Sequence, residues 1–194
     1  MIISLSKRFI FVHNPKTAGT SIRTALEPFA EKLSHRPKKH ETITELQKRT
    51  KMDLSNFFIF GFTRNPWDRA CSFYHHSLLN PKHKFEDKFG NLNDFIESLG
   101  RTRRPNSSKP FAREWVSVEQ QHLFFNENTH IGRFETLEQD FSFIMDKIGV
   151  QTHLNHYNKS VKCRYQDLYN KKSIDIIADL YEIDIDKYDY TFDG

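Results

Sequence analysis

Twice along this chain an apolar run stops at a short polar turn, and a helix-compatible stretch begins. The first run is 8–13, which leads through Asn14, Pro15, Lys16, Thr17, Ala18 and Gly19 into an expected helix over 20–31. The second is 57–63, Phe-Phe-Ile-Phe-Gly-Phe-Thr, which leads through Arg64 and Asn65 into an expected helix over 66–79. A near-continuous apolar run suits a strand covered on both faces, the usual state of a strand in a parallel sheet. Parallel neighbours need a long crossover, most often a helix. A further strand is expected near 129–134, with helices over 41–50, near 91–99 and 117–124, and over 135–148 and 172–182. The pattern predicts an α/β protein: a mostly parallel central sheet flanked by helices. Residues 80–113 hold Pro81, Gly90, Gly100, Pro105 and Pro110, and the reading there is an irregular insert. At 194 residues the chain is expected to be one domain, 1–194.

A strand that ends in a small-residue loop opening a helix makes an anion site. The first N–H groups of the helix have no partner within it, and the helix dipole favours negative charge there. Lys16 adds a cation to the first loop, and Thr17, Thr20 and Ser21 add hydroxyl donors. The spacing is not that of a nucleoside-triphosphate loop, Gly-x-x-x-x-Gly-Lys-Ser/Thr. With Gly19 as the second glycine, the first would fall at Asn14 and the lysine at Thr20, and only Ser21 fits. At the second turn, Pro66 suits the first helical position and Asn65 the cap, so Arg64 closes a strand at its carboxyl end. A guanidinium fork there bonds two oxygens of a phosphate at once.

The segment Pro15-Lys16-Thr17-Ala18-Gly19-Thr20-Ser21 resembles the 5′-phosphosulfate loop of sulfotransferases that use 3′-phosphoadenosine-5′-phosphosulfate (PAPS). Arg64-Asn65-Pro66, with Ser72 eight residues after the arginine, resembles the 3′-phosphate motif of the same enzymes. Residues 130–141, 154–169 and 181–192 are similar to the later segments of bacterial, carbohydrate-type (family 2-like) members. The resemblance implies a P-loop-like sulfotransferase fold. It implies PAPS as donor and a carbohydrate or other hydroxylated acceptor, and the surplus of basic residues leaves room for an anionic one. Lys16, Thr17, Ala18, Gly19, Thr20 and Ser21 would then hold the phosphosulfate, Arg64 and Ser72 the 3′-phosphate, and Lys159 would add a contact from the C-terminal section. The alternatives are a nucleotide or small-molecule kinase of similar architecture and a binding protein without turnover.

Sulfuryl transfer, like phosphoryl transfer, needs in-line positioning and charge stabilisation more than covalent help. Lys16, backed by a helix N-terminus, is the expected stabiliser of charge on the leaving oxygen. An acceptor hydroxyl needs a base, and histidine titrates near neutrality. His40 is the expected base, because the resembled enzymes place a catalytic His or Glu in this interval; Glu41, Glu45 and His13 are the alternatives. Arg133 is a candidate contact to cofactor or acceptor, Trp67 and Trp115 are candidate stacking platforms, with core packing the preferred reading for Trp67, and 103–109 is a candidate loop at the acceptor site. His75-His76 and His153-x-x-His156 lack matching carboxylates or cysteines, so no metal is expected.

Composition bounds the rest. Two cysteines with no framework argue against a disulfide-stapled secreted domain. No stretch reads as a membrane span or signal peptide, since Lys7 and Arg8 interrupt the first apolar residues. A cytoplasmic enzyme is the expectation. The net charge of +4 suits an anionic ligand, and no nucleic-acid module is recognisable around the basic residues.

Overall fold

The computed structural model describes residues 1–31, 38–102, 118–155 and 164–194. The chain packs as two compact units. One comprises Met1–Arg64 and Gln121–Asn158, the other Asn65–Gln120 and Lys159–Gly194.

The first unit holds a four-stranded sheet in the order β1 (Ile2–Ser4), β2 (Phe9–Val12), β3 (Phe58–Thr63) and β4 (Thr129–Arg133). β1 runs antiparallel to β2, and the other two pairings are parallel. In-register pairing sets Phe9 beside Phe58 and Phe11 beside Phe60, so one face of the sheet is a ladder of rings. Phe11 and Phe60 lie 5.5 Å apart, at the separation that tilted aromatic pairs favour. On that face sit α1 (Gly19–Leu26), through Ile22 and Leu26, and α6 (Leu137–Ile148), through Phe141, Ile144 and Met145. The helix α2 (Ile43–Thr50) buries Ile43 and Leu46 and belongs to the same unit.

The second unit is helical. It contains α3 (Pro66–Leu78), α4 (Phe85–Lys88), α5 (Leu92–Thr102), α7 (Lys171–Leu180) and α8 (Glu182–Tyr188). Its core joins Trp67, Phe73, Phe85, Phe95, Ile177 and Tyr181. Trp67 is packed there, and its indole N–H donates to the Ile174 carbonyl at 3.1 Å. Core packing, and not a stacking platform, is therefore its structural role.

The strands and helices around both polar turns fall where the sequence put them. Four differences have physical causes. β1 is an added strand whose identity comes from its pairing with β2, Ile2 opposite Phe11. Pro28 follows α1, and the expected helix to residue 31 ends instead in a 3₁₀ turn, Glu27–Phe29. Residues 81–102 of the expected irregular insert are mostly helical, through a 3₁₀ turn at Pro81–His83, α4 and α5. The helix expected near 117–124 is replaced, over its described part, by 3₁₀ structure that includes the turn Gln121–Phe124. Trp115, Lys159, Cys163 and the loop 103–109 lie outside the described residues.

Candidate functional site

The loop after β2 leaves the positive end of a helix without a side-chain cap. The backbone turns at Asn14, whose N–H donates to the Val12 carbonyl. Lys16 and Ala18 both take left-handed backbone conformations, with φ of 67° and 60°. Left-handed residues without glycine cost on the order of 1–3 kcal/mol each, so the surrounding packing must hold them. Left-handed residues interspersed in a loop turn successive N–H groups towards a common concavity. Ala18 is the N-cap of α1 and offers no side-chain oxygen, and the first turn carries no acidic residue. Ile22 N–H makes the first helical bond, to Ala18. The N–H groups of Gly19, Thr20 and Ser21 thus have no acceptor within the helix.

The loop hydroxyls divide into two kinds. Thr17 is buried, and its Oγ1 donates to the Asn14 carbonyl at 2.9 Å, which braces the loop. Thr20 is exposed and Ser21 half-buried. Gly19 has a packing reason of its own. A Cβ there would fall 2.1 Å from Cδ2 and Nε2 of His13, so no other residue fits without moving that ring.

His13 is accordingly a core side chain. It is 3% exposed and stacks on Phe11 at 5.9 Å, and its Nδ1 is buried without a hydrogen-bond partner among the described residues. Burial, aided by the nearby His40, pulls its pKa down to about 2. It stays neutral and enclosed, which removes it as a candidate base. His40 packs edge-on against it, with ring centroids 4.6 Å apart. Nδ1 of His40 lies 3.1 Å from the His13 carbonyl. A carbonyl only accepts, so Nδ1 carries the proton and Nε2 the lone pair in the neutral ring. That is the tautomer and the orienting bond a general base requires.

The other two candidate bases are otherwise engaged. Glu41 is buried and holds Arg49 in a bidentate pair, Nε at 2.7 Å and Nη2 at 2.8 Å. Despite its burial, the hydrogen bonds from Arg49 and from the Lys38 backbone keep its carboxyl below the usual range. Glu45 completes the capping box of α2, accepting from Thr42 N–H while Thr42 Oγ1 accepts in return. Glu41 therefore fixes the turn that carries His40, and Glu45 starts a helix.

Arg64 stands at the carboxyl end of β3 and is 5% exposed. Its guanidinium lies over the Phe134 ring, 3.9 Å from Cζ to the centroid. Its Nη1 donates to the Lys16 carbonyl at 3.2 Å. The arginine of the second turn is thus bonded to the loop of the first. Gln121, which sequence reasoning missed, bonds to both segments. Its Oε1 accepts from Asn14 Nδ2 at 3.0 Å and from Arg64 N–H at 2.9 Å, and its Nε2 donates to the Arg64 carbonyl at 2.8 Å. No signal marks it in the sequence, where it is one of two adjacent glutamines.

Within the first unit, then, the fold brings together Lys16, the start of α1, Arg64 and, through His13, His40. Ser72 lies on the second turn of α3 and is half-buried, in the second unit. The cap expected at Asn65 is present, its side chain accepting from Trp67 N–H at 3.1 Å. Arg133 takes part through its backbone N–H, which donates to Asp140. Among the described residues no three His, Cys, Asp or Glu side chains gather in a way that could hold a metal. Among the same residues no helix is long and apolar enough to cross a membrane.

A site of this kind suits a ligand with two anionic groups: one on the open helix end beside a lysine, the other within reach of a buried guanidinium. A family model described as "Sulfotransferase family" matches residues 1–191. Comparisons with curated proteins and with solved structures return no match.

Proposed function

The chain belongs to the sulfotransferase family, and on that premise we propose that it transfers a sulfuryl group from PAPS to a hydroxyl of a carbohydrate or similar acceptor, without a metal. The observation that carries the reading is the uncapped start of α1 behind Lys16, with Arg64 bonded to the same loop. PAPS has an anionic group at each matching position, the 5′-phosphosulfate and the 3′-phosphate. When bound it supplies an electrophilic sulfur and a phosphate leaving group.

In this mechanism the protein's residues do three things. The N–H groups at the start of α1 and the Lys16 ammonium hold the phosphosulfate, and they stabilise the charge that grows on the bridging oxygen as the S–O bond breaks. Arg64 holds the 3′-phosphate; Ser72 and Lys159 are assigned to the same phosphate by the motif resemblance alone. Nε2 of His40 takes the proton of the acceptor hydroxyl, its ring oriented by the bond from Nδ1 to the His13 carbonyl. The compartment in this reading is cytoplasmic, supported by the scarcity of cysteine.

The deciding measurement is calorimetric titration with 3′,5′-adenosine bisphosphate in metal-free buffer, beside ATP–Mg²⁺. Micromolar binding of the bisphosphate, unmatched by ATP–Mg²⁺, is expected. Binding of ATP–Mg²⁺ alone overturns the reading in favour of a kinase.

A further inference from the structure

Gln121 is fully buried, and its primary amide ties the lysine loop to the backbone of Arg64. Asn14 Nδ2 donates both to Gln121 and to the Phe62 carbonyl, at 3.0 Å each, so the tie extends to the end of strand β3. Arg64 closes the circuit from its other end, through Nη1 to the Lys16 carbonyl. Breaking a buried hydrogen bond of this kind costs roughly 1–3 kcal/mol where the group finds no replacement. A satisfied buried network of this kind permits one spacing and penalises others.

We propose that Gln121 is a positioning residue that fixes the distance between the lysine loop and Arg64, and thereby sets the protein's preference for nucleotides carrying both 5′- and 3′-phosphates. The inference rests on the donor reading above. Its physical basis is that the ribose confines two phosphates on one nucleoside to a narrow range of separations. If the two recognition elements are held at the matching separation, the second contact forms with little further loss of freedom. If the separation fluctuates, ordering it consumes part of the gain. A 5′-monophosphate engages only the loop and is indifferent to the spacing.

The test is the ratio of dissociation constants for 5′-AMP and 3′,5′-adenosine bisphosphate, measured by calorimetry on the whole chain. Gln121→Met keeps about the same volume and removes the amide that bonds Asn14 and Arg64, and Asn14→Ser cuts the network from the loop side should the first variant not fold. The ratio is expected to fall about tenfold, equivalent to about 1.4 kcal/mol, with 5′-AMP affinity changing less than about threefold. Thermal unfolding run in parallel reads the structural cost separately. A lowered midpoint with an unchanged ratio overturns the inference, because a merely structural glutamine moves only the midpoint. If the wild-type protein binds both nucleotides equally, the donor reading fails and this inference with it. A wild-type preference that survives both substitutions overturns this inference alone.

Discussion

Lys16 keeps a left-handed backbone that a lysine does not choose, and the residues around it supply the reason it stays there: Thr17 braces the loop from within and Arg64 bonds the Lys16 carbonyl. Lys16→Ala should leave this scaffold standing, since the bracing bonds run through the Thr17 hydroxyl and the Lys16 backbone carbonyl, and should lower turnover by about 10²–10³ as a transition-state contact does. Rates near wild type, with an unchanged unfolding midpoint, would remove the ammonium from the mechanism. His40→Ala should lower turnover by about 10²–10⁴ if Nε2 is the base. A change of less than about fivefold would assign the proton to another group. Neutral His13 makes a separate prediction about pH. Its folded pKa, about 2, lies below the unfolded value of about 6.5. The unfolded chain therefore binds the proton first, and stability present above pH 6.5 is lost as the pH falls below it. Between pH 7 and 5 the loss from this one residue should be about 2 kcal/mol. Denaturant unfolding at the two pH values, compared with His13→Asn, checks it; equal slopes for both proteins would mean His13 is not held neutral.

At the scale of elements, the starts of α1, α2 and α3 are finished in three ways. A capping box closes α2, Asn65 with Pro66 closes α3, and α1 has no side-chain cap. Of these three, the helix without a cap is the one assigned to the proposed ligand, although α4, α6 and α8 also start without a side-chain cap. Thr42→Ala should therefore cost about 1 kcal/mol of stability and leave nucleotide affinity within about twofold. Ala18→Asp places a carboxylate at the open end of α1 and should weaken bisphosphate binding by at least about tenfold. Unfolding curves and titrations on both variants separate the two roles; similar binding losses would mean that the end of α1 is not the anion site. The same elements explain what a reader of the sequence can see. Apolar runs that stop at Asn, Pro or Gly announce their own ends, so β2, β3, α3 and the place of Arg64 at the end of a strand were legible. Contacts made far along the chain do not announce themselves. β1 is a strand because Ile2 meets Phe11, Glu41 is committed because Arg49 lies one helix away, and Gln121 is buried because two other segments converge on it. Gly19 was read from its place in a phosphate loop, whereas the observed constraint on it is the ring of His13.

The whole molecule carries a net charge of +4, and that field acts at distances where the buried contacts do not. Long-range attraction speeds the encounter with an anionic nucleotide and is screened by salt, with a Debye length near 10 Å at 0.1 M. In the proposed site, Arg64, buried against Phe134, and Lys16, half-buried in its loop, would act only once the ligand has arrived and would be shielded from that screening. Salt should consequently divide the two rate constants. From 20 to 200 mM monovalent salt, the association rate for 3′,5′-adenosine bisphosphate should fall by about tenfold, and the dissociation rate should change by less than about twofold. Stopped-flow mixing with a fluorescent analogue of the bisphosphate measures both, and an uncharged adenosine analogue serves as the control that salt leaves alone. If the salt dependence appears in dissociation instead, the phosphates are held by exposed surface cations, and the buried pairing of Arg64 with the lysine loop is not what retains the ligand.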